Sequence, residues 1–237
     1  MADTPTVSLA FFTVPTARIP LAVGRMGSDR LRLRRPAGLR FAKLLGTGDG
    51  RTFDVRDADP HTWAVLTVWE HRADADAFDA DSPVLAGWRA IAEESWQVRL
   101  RPLVARGRWS GVQPFGEPSG AHSDGPVAAI TRARLAWGTM RTFWRAVPPV
   151  SAELGEAAGL RLAVGIGEAP FGLQGTFSVW DSTRELTAFA YRQPAHRAAI
   201  TDTPRVGWYA EELFARFAVE ETRGRIFGRD PLAATSA

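Results

Sequence analysis

Apolar residues recur along this chain in short alternating runs rather than in long helical stripes. VSLAFF (7–12), LRFAKLL (39–45) and WAVLTVW (63–69) are rich in branched and aromatic residues and read as strands. A helical or irregular crossover over 15–30 joins the first two. A helical stretch from Ala73 to about Ser95, interrupted near Pro83, follows the third. WQVRLRPLVARG (96–107) closes the series as a strand. The series then begins again. Strands are expected over 127–135, 160–166, 176–180 and about 214–222, with a crossover holding MRTFWRAV (140–147). Its second helix opens with Ser182-Thr183-Arg184-Glu185, a capping box in which serine and glutamate satisfy free amides of the first turn.

The second series repeats the first in sequence as well as in pattern. AGLRFAKLLGTG (37–48) echoes AGLRLAVGIGEA (158–169), and TWAVLTVWEHRADADAF (62–78) echoes GTFSVWDSTRELTAF (175–189). Trp69 then matches Trp180, and Phe78 matches Phe189. Arg106-Gly107-Arg108 likewise matches Arg223-Gly224-Arg225. Two β-α-β-β-α-β units result. The expected fold is α+β, a tandem duplication of ferredoxin-like repeats of the dimeric α/β-barrel type, with two antiparallel sheets packed together and helices outside. The first repeat covers 1–109 and the second 126–228, with a Gly/Pro/Ser-rich linker at 110–125 and a tail at 229–237.

Composition narrows the chemistry. The 237 residues include 29 basic and 26 acidic side chains, a formal charge of +3, which argues against a nucleic-acid partner. The high isoelectric point reflects arginines that do not titrate in the ordinary range. Cysteine is absent, which excludes disulfides, Cys-ligated zinc, iron–sulfur clusters and thiolate-ligated haem. The first twenty residues carry an acid at Asp3 and too short an apolar run for a signal or a span. A soluble, cytoplasmic protein is expected.

Within this frame one histidine stands out. His196 in FAYRQPAHRAAI follows Phe189 and Pro194 as Leu85 follows Phe78 and Pro83. Leu85 starts an apolar stripe with Trp88 and Ala92, so His196 is expected to point inward where its twin is aliphatic. A bare buried polar group costs about 1–3 kcal/mol. The imidazole is therefore either hydrogen-bonded in a core or ligating something, and without cysteine the ligation reading is histidine-ligated haem. Arg192, Arg197 and Arg205 are candidate partners for propionates, or else a solvated arginine face. Phe171, Phe177, Trp180 and Trp208 are candidate pocket walls, or else ordinary core.

Several words of the sequence together resemble the spheroidene monooxygenase family, the acyclic carotenoid 2-ketolases. They are FAKLLGTG, TWAVLTVW, ESWQVRL with RGRWSG, FWRAVPPVS, GIGEAPFGLQGTFSVW, AHRAAI, and EELFARF with GRDPL, in order along nearly the whole chain. The resemblance implies a haem b oxygenase that hydroxylates a terminal region of a polyene twice, so that a gem-diol collapses to a ketone. It carries the axial iron ligand onto His196. It also implies a small apolar substrate, carotenoid or other natural-product intermediate, and an external electron donor such as a ferredoxin. Gln174 and Thr176, entering the strand at 176–180, are the candidate catalytic residues on the far side of the iron. Two rivals remain open: a haem-dependent dehydratase or nitrogen–oxygen bond enzyme, and a cofactor-free monooxygenase or binding scaffold of the same fold. Either a monomer or a homodimer is compatible with an internal duplication.

Other constellations read more simply. Gly46-Thr47-Gly48-Asp49-Gly50 precedes a strand rather than a helix, so a hairpin connection, not a phosphate loop, is expected. Asp57, Asp59 and His61 suggest a polar turn before the Trp63 strand rather than a metal site. His71 is expected to be exposed, and His122 falls in the linker. The arginines at 25, 30, 32, 34 and 35 admit a peripheral contact with anionic lipid, worth about 1 kcal/mol each. Leu31 and Leu33 alternating with them predict instead a half-exposed strand. Glu93-Glu94 and Glu211-Glu212 read as a helix face.

Overall fold

The computed structural model describes residues 4–33, 36–48, 57–117, 120, 123–135, 157–168, 173–192 and 209–233, without the side chains at 135, 173, 174, 191, 192 and 209. In the first half, β1 (Thr6–Thr13), β2 (Leu39–Gly48), β3 (Ala58–Trp69) and β4 (Glu94–Gly107) alternate with α1 (Ile19–Arg32), α2 (Arg72–Asp81) and α3 (Pro83–Arg89). The second half contains β5 (Val127–Leu135), β6 (Leu160–Gly167), β7 (Leu173–Trp180), α4 (Thr183–Arg192) and β8 (Tyr209–Gly224). The strands run β1-β3-β2-β6-β7-β5-β8-β4 around a closed barrel. Each half thus keeps the ferredoxin-like order of its own four strands, and the duplicated α+β architecture is borne out. The two sheets are joined edge to edge, by β2 with β6 and by β4 with β8.

Closure removes the exposed edges that two open sheets would present. Its geometry is that of a twofold. In the β4–β8 seam Trp96 pairs with Gly224 and Gly107 with Leu213, so each half offers the other the same contact. Gly107 and Gly224 have φ of +88° and +86°, and a Cβ on either would lie 2.1 Å from the carbonyl oxygen of Glu212 or Ser95. Only glycine fits there. Beyond each strand the chain turns back on itself, through Trp109–Val112 and through Ile226–Arg229. Ser110 and Phe227 adopt left-handed φ at matching points.

Alternation along the strands separates two apolar layers. Val7, Leu9, Phe11, Leu66, Trp96, Val98, Ala128, Ile130, Val164, Phe177, Ala215 and Phe217 fill the barrel interior. Phe12, Leu44 and Val65 face outward and pack against Leu85 and Trp88 of α3 and Ala22 of α1. Val127, Ala129, Trp180 and Ala218 do the same beneath Leu186 and Phe189 of α4. Indole N–H groups at matching sites donate to hydroxyls, Trp69 to Thr67 and Trp180 to Ser178, both at 2.9 Å.

Four local expectations are corrected. Residues 31–33 are not a strand: Leu31 lies in the last turn of α1 and Leu33 caps it. Asp59 and His61 belong to β3, which begins at Ala58 rather than after a turn. The glutamate pairs are not on a helix. Glu94 opens β4 and Glu211 and Glu212 lie in β8, where Glu94 accepts from the amide of Gly228 and Glu211 from those of Ser110 and Gly111. The capping box is half made: Ser182 Oγ accepts from the Arg184 amide while its hydroxyl donates to the Glu185 carboxylate. The hairpin expectation holds, since β2–β3 and β6–β7 are antiparallel neighbours.

Candidate functional site

The two halves carry different residues on the same outward rungs. In the first half Phe12 pairs with Trp63, and Val65 lies between Ala10 and Leu44. Ala10, Phe12, Leu44 and Val65 are all buried, and Leu85 and Trp88 close over the layer at 2% and 0% exposure. In the second half Ala133 pairs with Gln174, and Thr176 lies between Thr131 and Gly165. Phenylalanine has become alanine, leucine glycine, valine threonine and tryptophan glutamine. Thr131 is exposed, and Ala133 and Thr176 are half-buried. A face that the first half fills with large side chains is therefore flat, small and faintly polar in the second. Leu85 stands as far beyond Trp69 in sequence as His196 does beyond Trp180, and His196 itself lies outside the described residues.

Of the candidate residues, Thr176 lies on that face. Gln174 occupies the rung before it on β7, paired with Ala133 and Gly167, and its side chain is outside the described residues. Trp180 is on the outward side too, but at 1% exposure it is packed 5.4 Å from Phe189 under α4. Phe177 points the other way, into the barrel, 5.6 Å from Phe11 and 6.3 Å from Trp96. The structure does not bring Phe177 and Trp180 into one pocket. Arg192 ends α4 with its side chain undescribed, and Phe171, His196, Arg197, Arg205 and Trp208 lie outside the described residues, as does His122. His71 is exposed at the start of α2. The Nδ1 of His61 is 3.0 Å from the Val14 carbonyl, and its amide donates to Asp59 at 2.8 Å. Among the described residues no cluster of histidines and carboxylates is set to hold a metal.

Two charged groups flank the layers, each built around a buried arginine. At one end of the barrel Arg132, 4% exposed, pairs with Glu168 at 3.3 Å and with Glu211, while Lys43 pairs with Glu168 and Trp109 Nε1 donates to Glu168 at 2.6 Å. Burial would push the Glu211 carboxyl up, but the Gly111 and Ser110 amides and the Arg132 guanidinium hold it below the usual range. Beneath α2 is a cleft of about 400 Å³ lined by Arg72, Asp76, Asp79, Arg99, Glu221 and Arg223. Its charges face one another, Arg99 meeting Asp76 at 2.9 Å and Asp79 at 2.5 Å. Burial raises the Asp79 carboxyl in spite of Arg99.

A protein called spheroidene monooxygenase in Rhodobacter capsulatus is 38% identical over 235 residues, covering 97% of this chain and 96% of the relative. The chain belongs to the spheroidene monooxygenase family. A second member, from Rubrivivax gelatinosus, is 39% identical over 94% of this chain and 85% of its own length. The member from Cereibacter sphaeroides is 34% identical over 96% of this chain and 70% of its own length. No protein-family model matches the chain. Among solved structures, an aldoxime dehydratase in complex with butyraldoxime superposes with a TM-score of 0.62 at 14% identity, covering 92% of this chain and 80% of that one. A second aldoxime dehydratase gives 0.61 at 12% identity, over 92% and 82%. At such identities the likeness describes the fold of this chain alone.

Reading single words of the sequence missed the flat face, which emerges only when both halves are laid on one sheet register. Among the described residues no helix is long and apolar enough to cross a membrane.

Proposed function

We propose that this member of the spheroidene monooxygenase family is a haem b oxygenase that oxidises a carotenoid or another apolar natural-product intermediate with dioxygen. The observation that supports it is the exchange of bulk for space on the outer face of the second sheet, where Ala133 and Gly165 replace Phe12 and Leu44, while Thr176 and Thr131 bring hydroxyls in place of Val65 and Ala10. A planar apolar group needs small residues along one wall, and histidine supplies iron with a ligand from the other. His196 is assigned that role. Arg192, Arg197 and Arg205 are assigned to the carboxylates, Trp208 to the apolar wall, and Thr176 and Gln174 to the sheet side of the pocket. When bound, haem supplies the one-electron and oxygen chemistry that these side chains lack. Electrons come from a separate donor such as a ferredoxin. The sheet side excludes water and orients the substrate, with the Thr176 hydroxyl as a hydrogen-bonding group.

Titrating purified protein with haemin tests this reading. A Soret band of the bound form is expected in the wild type, and His196→Ala is expected to change its position and weaken binding. No band, or the same band in His196→Ala, overturns it. A haem-dependent dehydratase of this fold turns over without reductant, so product formed anaerobically without a donor would favour that alternative.

An apolar substrate has to be collected from lipid, and α1 is suited to a bilayer surface carrying anionic headgroups. Leu21, Val23 and Leu31 are 49%, 55% and 62% exposed, on a helix that also carries exposed Arg30 and Arg32. Apolar side chains flanked by arginines match an interfacial helix. Co-sedimentation with phosphatidylglycerol vesicles is expected, with little on phosphatidylcholine alone, and Leu31→Glu should reduce it several-fold. Equal binding by wild type and variant would rule out this face.

A further inference from the structure

The duplication has kept one cation twice, buried as Arg99 and half-buried as Arg216, but its helix carboxylates only once. Arg99 of β4 and Arg216 of β8 occupy equivalent rungs. Arg99 lies between Ser8 of β1 and Glu221 of β8, and Arg216 between Ala129 of β5 and Val104 of β4. Arg99 is 6% exposed and held by Asp76 and Asp79 from α2. The α4 residues standing where Asp76 and Asp79 stand, counted from Trp180 as those are from Trp69, are Thr187 and Ala190. Around Arg216 both carboxylates of the helix are gone, and valine and alanine flank it where Arg99 has glutamate and serine.

What remains is a cation without a described counter-ion. The Nε of Arg216 is buried and has no hydrogen-bond partner. Ala129 and Ala218 beside it belong to the apolar layer with Trp180, Leu186 and Phe189. A buried donor left unsatisfied costs about 1–3 kcal/mol, more when charged. An anion reaching it would be held strongly, because charge interactions grow as water is excluded. The guanidinium is also well placed. Phe214, two residues before it on β8, pairs with Thr131, which pairs with Thr176 on the flat face.

We propose that Arg216 is the anion-binding residue of the second-half site, taking an anionic oxygen or carboxylate between its N–H groups. The identity of the bound group rests on the haem reading; the anion site itself does not. Two sources share this chemistry: a carboxylate at the porphyrin edge, and a small anion at the open face of the iron.

Three measurements on wild type, Arg216→Gln and Arg216→Lys test it. In haem-free protein, calorimetric titration with benzoate is expected to show binding that falls at least tenfold in Arg216→Gln and partly recovers in Arg216→Lys. Thermal unfolding should be unchanged or raised in Arg216→Gln, since no internal partner is lost, whereas Arg99→Gln should lower it. With haemin, an edge carboxylate predicts at least tenfold weaker binding in Arg216→Gln and no such loss for haemin dimethyl ester. An open-face anion predicts unchanged haemin binding and at least tenfold weaker azide binding to the ferric complex. If benzoate binds wild type and Arg216→Gln alike, or binds neither, the proposal is overturned. If benzoate binding depends on Arg216 while haemin does not bind, the anion site stands and the haem reading falls.

Discussion

Restoring the first half's bulk to the second sheet, with Ala133→Phe and Gly165→Leu, is expected to weaken haem binding roughly 100-fold, about 2.7 kcal/mol. These are the side chains that Phe12 and Leu44 supply at the matching rungs of the first half, where Leu85 and Trp88 close over them. Overfilling a packed site costs about 1–3 kcal/mol per enlarged side chain, so two suffice for that loss. The haem-free protein should respond oppositely. Where the face has room, added apolar area is buried at about 25 cal/mol per Å² and unfolding shifts to equal or higher denaturant. Full-strength haem binding in the double variant would show that the group does not lie on this face. A destabilised haem-free variant would show that the face is already filled.

The strands and their order were legible because each is a local alternation of apolar and polar residues, and the repeat legible because Trp69 and Trp180 anchor the same hairpin. Closure into one barrel was not, since the pairing of Trp96 with Gly224 depends on residues far apart in sequence. The errors have physical causes. Leu31 and Leu33 alternate with arginines, but α1 extends through Arg32 and its exposed side takes Leu31 into solvent. Glu94 and Glu211 resemble a helix face by their doubled charge, yet their partners are turn amides of the opposite half. A period of two places Phe177 and Trp180 on opposite faces, and that much was available in the sequence.

Arg216 was also within reach. Setting Arg99 beside Arg216 and then asking what became of Asp76 and Asp79 needs only the internal alignment. It escapes notice because the cation and its acids come from different elements, so no single word of the sequence contains the pair. The same comparison exposes the flat face. Duplication thus supplies an internal control: the first half shows what the fold requires for stability, and the second half's departures from it mark where another demand has acted.

Arg132→Met is expected to be the most damaging of the substitutions away from that face, costing about 3–5 kcal/mol at neutral pH. Arg132 lies inside the barrel at 4% exposure, pairs with Glu168 and Glu211, and stands 5.5 Å from the centre of the Trp109 ring. Removing it leaves two carboxylates in a region that burial has largely dried, with Lys43 still paired to Glu168. The pH dependence follows from the sign of the Glu211 shift. Its carboxyl is lowered in the folded state, so the stability it contributes is present above the ordinary carboxylate value of about 4.3 and is lost as pH falls through the lower folded value. Without the guanidinium that lowering diminishes, and the variant has less to lose on acidification. Denaturant unfolding of wild type and variant should therefore differ most near pH 7 and converge below about pH 4. A difference under about 1 kcal/mol, the range of an exposed pair, or one that does not narrow in acid, would mean that the carboxylates are neutralised by something other than Arg132.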